Sequence, residues 1–279
     1  MHRSYLVGGS RFGVRTTSPA FGAWLDAVLG SYRIDEDLPP EYSIVIDGGR
    51  SDPVVSGRRF HVLWQGVGQV TRTLHVETLA RSLLAEIEAR LLADLDDPLF
   101  VHFAAVRSGP LVALIPAWII AYIQAAGRRV ERAGLTLPYR RWVAIDPTTG
   151  VVVPSPDLLD VPADAVRRLD GWTGGEDQHR SDVLEPVVAD AVVTYVEGME
   201  TVDLGNRAIA LHRVAGMAAN LPRIGESAVR ALGRTIGHAR AYEIGLGRPA
   251  QMVEALAAVA AHERAHGDEV TVGTEAARD

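Results

Sequence analysis

The chain contains no cysteine. Disulfides, a thiol nucleophile, iron–sulfur ligation and thiolate zinc sites are therefore excluded. Lysine is absent too: all 28 residues in the Lys+Arg count are arginine. That removes a Schiff-base lysine, a pyridoxal-phosphate anchor, a lysine general base and a phosphate-loop lysine. Asparagine is reduced to Asn206 and Asn220. Both depletions fit a GC-rich genome, and the chemical exclusions hold whatever the origin.

Long apolar runs are also missing. The longest, over 111–123, is interrupted by Pro116 and is too short to span a bilayer. The opening Met1-His2-Arg3-Ser4-Tyr5 lacks an apolar run with a small-residue cleavage site. A cytoplasmic protein with no membrane partner is expected. A net charge of −7 leaves no basic footprint, so no nucleic-acid partner is expected.

What is present is globular in composition. The 279 residues, 47% hydrophobic and 23% charged, suffice for one large domain or two modest ones. A strand is predicted over 12–16. Ser18 then serves as N-cap and Pro19 as first helical residue, with Phe21, Trp24, Leu25, Val28 and Leu29 on one face. A strand over 42–46 leads into the Asp47-Gly48-Gly49 turn. A hairpin follows over 59–64 and 69–74, around Gly66-Val67-Gly68. Val76, Leu79, Leu83, Ile87, Leu91 and Leu95 repeat at helical spacing.

Two apolar strands are predicted over 100–106 and 111–115, then one helix over 117–133 closed by Gly134. A hairpin over 141–145 and 150–153 turns at Asp146-Pro147-Thr148-Thr149. Residues 171–182 read as a loop and 191–196 as a strand. Helices are predicted over 207–219 and 224–240, a strand over 241–244, and a last helix over 249–265. Gly267 ends that helix and leaves an acidic, frayed tail. This gives an N-terminal α/β region over 1–95, a core with a helical end over 96–266, and a tail over 267–279.

The middle of the chain resembles the HPr kinase-like branch of the P-loop proteins, related in fold to phosphoenolpyruvate carboxykinase. Phe100-Val101-His102-Phe103-Ala104-Ala105-Val106 resembles the family's first strand. Leu111-Val112-Ala113-Leu114-Ile115-Pro116 resembles the second, and Val143-Ala144-Ile145-Asp146-Pro147 the later strand and turn. The segments 12–19 and 232–256 resemble, more weakly, the ends of kinase-like proteins found beside peptide-modifying enzymes. The resemblance implies an α/β fold with a P-loop core, a mixed sheet and flanking helices.

The family's phosphate loop reads G-x-x-x-x-G-K-[ST], with glycines that turn backbone N–H groups inward. In this register Ala117 and Tyr122 stand at the glycine positions, Ile123 at the lysine and Gln124 at the hydroxyl. Tyr139, Arg140 and Arg141 replace a serine and two acidic residues that serve as base and metal partner. The resemblance therefore implies a degenerate site with no nucleotide or other cofactor, and His102 beside it; taken apart from the resemblance, His102 reads as a hydrogen-bonded histidine on a half-buried strand. Trp118, Ile119, Tyr122 and Ile123 are expected to form a helical turn that packs its bulky side chains into the former nucleotide pocket. Arg128, Arg129, Arg132, Arg140 and Arg141 make a solvated face or a contact for an anion or acidic peptide.

One motif competes. His262-Glu263-Arg264-Ala265-His266 matches H-E-x-x-H, in which two imidazoles on one helix face hold zinc and the glutamate polarises water. Only Asp268, Glu269, Glu275 and Asp279 follow as third ligands, and a last-turn histidine also suits the helix dipole without metal. The leading expectation is a non-catalytic scaffold, regulatory or peptide-binding subunit. It would sit beside enzymes that modify a ribosomally made peptide, in a hetero-oligomer with its protein partner or peptide. An active phosphotransferase with an unorthodox site and a zinc metallohydrolase remain as alternatives.

Overall fold

In the computed structural model, which describes residues 1–46, 60–138, 142–155, 158–159, 185–196, 202–245 and 247–276, the chain opens with a tight hairpin. Strands β1 (His2–Val7) and β2 (Ser10–Thr16) are joined by Gly8 and Gly9. Both turn residues have positive φ, at 53° and 88°, the left-handed backbone that a two-residue hairpin turn needs. Ser18 then caps α1 (Pro19–Leu29), its hydroxyl accepting from the Phe21 amide at 3.2 Å. Phe21, Trp24, Leu25, Val28 and Leu29 are all buried on the predicted face.

The chain divides into two compact units, Met1–Leu92 with Asp157–Gln178, and Ala93–Pro156 with His179–Asp279. The first is built on a six-stranded sheet, which adds β3 (Arg33–Ile34), β4 (Pro40–Val45), β5 (His61–Gln65) and β6 (Gly68–Thr73). Its order is β3-β1-β2-β4-β5-β6. Only β2 and β4 run parallel, joined through α1. Helix α2 (Val76–Ala93) buries Leu79, Leu83, Ile87 and Leu91 in the same core as Tyr5, Phe12 and Tyr42. Each such side chain contributes roughly 1.5–3 kcal/mol through area removed from water. Arg3 meets Asp26 through two hydrogen bonds of 2.5 and 2.6 Å.

The second unit carries the region of the resemblance. Strands β7 (Leu99–Val101) and β8 (Phe103–Ser108) replace the single strand predicted over 100–106. The break falls on His102, whose N–H donates to Met217 and whose carbonyl accepts from Ala117, both outside the ladder. There the chain changes sheets. β7 joins β10 (Val143–Ile145) and β11 (Val152–Val153) in a three-stranded sheet. β8 joins a five-stranded one with β9 (Leu111–Pro116), β12 (Ala191–Val196), β13 (Val202–Leu204) and β14 (Arg240–Gly245). The order is β13-β14-β12-β9-β8. β9, β12 and β14 are mutually parallel through the centre, and β8 and β13 are antiparallel at the edges.

The helix predicted over 117–133 is two helices, α3 (Ala117–Gln124) and α4 (Arg128–Arg132). Gly127 at φ +53° turns the chain between them, a conformation that suits glycine. Helices α5 (Arg207–Ala215), α6 (Leu221–Ile224) and α7 (Glu226–His238) follow β13. Helix α8 (Pro249–Ala276) closes the chain. It passes through Gly267, where the sequence predicts an end. An interior glycine costs about 1 kcal/mol relative to alanine, too little to stop a helix anchored by buried Met252, Val253, Leu256 and Val259.

Alternation along the strands assigns the helices to two faces. Ala105, Leu114, Val192 and Ala241 share a core with Ala210 and Val214 of α5 and Leu232 of α7. Ala104, Ala113, Val193 and Ile244 share another with Ile119 and Ile123 of α3, Val130 of α4 and Leu256 of α8. The unit is thus an α/β fold with a mixed sheet and helices on both faces. Among the described residues no helix is long and apolar enough to cross a membrane.

Candidate functional site

In an open α/β sheet, ligands bind beyond the carboxyl ends of parallel strands, where successive connections leave on opposite faces. β9 and β12 are adjacent and parallel. The chain leaves β9 into α3 on one face, and leaves β12 through β13 into α5 on the other. Their carboxyl ends, Pro116 and Tyr195-Val196, therefore mark the switch point.

No loop intervenes between β9 and α3: the strand ends at Pro116 and the helix begins at Ala117. The Ala117 amide donates to the His102 carbonyl at 3.1 Å, so these two predicted positions lie together. The His102 ring packs on Trp142, with centroids 4.7 Å apart. Ile119 and Ile123 are each 0% exposed within the core of this face, beside buried Ala117 and Ile120. Ile123, which the resemblance sets against the lysine of a phosphate loop, is a core residue.

Of the four bulky residues expected to pack inward, Ile119 and Ile123 are buried. Trp118 and Tyr122 are 42% and 38% exposed, not buried. They are four residues apart and share one helix face, turned about 100° around the axis from Ile119 and Ile123. Trp118 meets Tyr195 edge-on at 5.7 Å and 88°. Gln124 is exposed at the end of α3. Tyr139, Arg140 and Arg141 lie outside the described residues, as do the expected turn at 47–49 and loop at 171–182. Arg128, Arg129 and Arg132 are exposed on α4, while Val130 points inward.

Asp146, in the Asp-Pro turn, is engaged within its own turn. One carboxylate oxygen accepts from the amides of Thr148 and Thr149 and from the Thr149 hydroxyl, at 2.7–3.0 Å. These bonds, that of the Thr149 amide foremost, hold its carboxyl below the ordinary aspartate range.

Sequence reasoning missed Arg213. From α5 its Nη1 donates to Thr194 Oγ1 at 3.0 Å and to the Tyr195 carbonyl at 2.8 Å, with Glu243 Oε1 at 3.4 Å. It ties the carboxyl ends of β12 and β14 together. Thr194 and Glu243 are paired in register and interrupt otherwise apolar strands on the same side. Two polar residues in apolar strands are the signal that could have found this arginine.

The H-E-x-x-H segment is committed to packing. Glu263 accepts from the Tyr242 hydroxyl at 2.5 Å and lies 3.9 Å from Arg240 Nε. Burial, with Glu263 adding to it, pushes the Tyr242 hydroxyl far above its ordinary range. His266 Nδ1 donates to the His262 carbonyl at 3.2 Å, and the two ring centroids lie 4.5 Å apart. Among the described residues no three His, Cys, Asp or Glu side chains are grouped to hold a metal ion. No family model, curated protein or solved structure matches the chain.

Proposed function

We propose that this chain is an HPr kinase-like protein that retains the fold without the nucleotide site. It acts in the cytoplasm as a scaffold, regulatory or peptide-binding subunit beside enzymes that modify a ribosomally made peptide. A fold and the site grafted on it are separate requirements, so one persists without the other. The observation that carries the reading is the junction of β9 and α3, where the strand runs into the helix without a loop and Ile123 is buried. A phosphate cradle needs consecutive amides turned inward. Here the first of them is already bonded to His102. Asp146, held in its own turn, adds support, since a carboxylate so engaged is a poor base or metal partner.

The test is purification of the tagged full chain from its own host, followed by assay of the complex. The expected result is a stoichiometric partner whose peptide modification requires the chain and is unaffected when the chain carries Asp146→Asn. Phosphotransfer from ATP to a peptide by the chain alone would overturn the reading.

A further inference from the structure

The outward surface of α3 and α4 has two chemically distinct ends. Trp118 and Tyr122 expose their rings near the switch point, with half-buried Tyr195 packed against the former. Arg128, Arg129 and Arg132 follow on the next helix, and among the described residues none of them has an ion-pair partner. Both helices press their aliphatic residues, Ile119, Ile123 and Val130, into one core and so turn the other side outward. These three exposed arginines lie within five residues on a chain of net charge −7.

We infer that this surface docks an acidic polypeptide segment that carries aromatic or aliphatic side chains. The inference rests on the peptide-binding reading above and specifies its occupant. Charge complementarity selects the acidic character: guanidinium groups bind carboxylates through paired hydrogen bonds. The aromatic cluster selects an apolar anchor, because rigid rings give large contact area at little conformational cost. A phosphate-bearing ligand is the poorer fit, since the helix fills the place of a cradle and the wider surface repels polyanions.

The test pans a displayed library of random short peptides on the full-length chain, then measures the enriched peptides by fluorescence anisotropy. Enriched sequences are expected to carry an excess of Asp and Glu around an aromatic or aliphatic residue. Trp118→Ala with Tyr122→Ala should weaken them by roughly tenfold or more. Arg128→Ser, Arg129→Ser and Arg132→Ser together should do the same and flatten the salt dependence. Both variants alter exposed side chains, so both should stay folded, with unfolding midpoints shifted far less than those of Ile119→Ala or Ile123→Ala. No acidic enrichment, or wild-type affinity retained by either variant, overturns the inference. So does tighter binding of oligothymidylate than of the peptides, or a dimer that the Trp118 and Tyr122 changes convert to monomer. These failures leave the inactive-site reading standing, because that reading falls only with nucleotide binding or phosphotransfer.

Discussion

The amide of Ala117 donates to the carbonyl of His102 at 3.1 Å, tying the first residue of α3 to the point where the chain passes between two sheets. The bond joins a strand break to a helix start and so sets where α3 begins. It also satisfies one of the N-terminal amides that a helix otherwise offers to an anion. With Ile119 and Ile123 below it, the junction belongs to the core.

Stability should therefore separate the two faces of α3. Ile119→Ala or Ile123→Ala should cost about 2–5 kcal/mol, as large-to-small changes in a packed core do. Trp118→Ala and Tyr122→Ala should cost about 1 kcal/mol or less. Urea unfolding followed by circular dichroism measures both. Equal losses on the two faces would show that α3 is not seated by its isoleucines.

Asn220 should be among the least replaceable residues. It is fully buried; its Oδ1 accepts from the Phe100 amide at 2.9 Å, and its Nδ2 donates to the carbonyls of Leu95 and Pro98. Alanine would strand one buried donor and two acceptors, each costing about 1–3 kcal/mol. Asn220→Ala should fail to fold or melt far below wild type. Asn206→Ala, which removes a helix cap, should cost only about 0.5–2 kcal/mol. A reversed order of the two melting temperatures would contradict this assignment.

Acid should weaken the first unit through Asp26. The Arg3 guanidinium bonded to it holds its carboxyl below the ordinary range, so its folded-state pKa lies under the unfolded value. The pair then adds stability above the unfolded pKa and loses it as pH falls through the folded one. Between neutral pH and about pH 3 the urea midpoint of wild type should fall more steeply than that of Asp26→Asn. Parallel curves would remove the pair from the account of acid stability.

The alternation of apolar residues makes much of this fold legible. The Ser18-Pro19 cap and the Leu79-Leu83-Ile87-Leu91 stripe define α1 and α2 from local residues alone. The sheet change at His102 is not legible in the sequence, because it depends on partners far away along the chain. Nor is the orientation of α3. Ala117 to Gln124 has no polar stripe, so periodicity separates the Trp118-Tyr122 face from the Ile119-Ile123 face without saying which is buried. Arg213 escapes notice for a related reason, since its acceptors come from two strands that meet only in the folded sheet.

Zinc should not be retained. Glu263 is bonded to Tyr242 and faces Arg240, which leaves it poorly placed to polarise a water. After dialysis the protein should hold far less than one equivalent of zinc by elemental analysis. A full equivalent, lost in the His262→Ala, His266→Ala double variant, would revive the hydrolase alternative. Weak binding removed by dialysis would not, since histidine pairs collect metal adventitiously.

Calorimetric titration of the full chain with Mg²⁺-ATP tests the central claim most directly. With Ile123 in the core and no loop ahead of α3, no saturable heat is predicted at millimolar nucleotide. Ile123→Lys should not create binding, because it supplies a charge without the backbone cradle. Micromolar affinity in the wild-type chain would contradict the account.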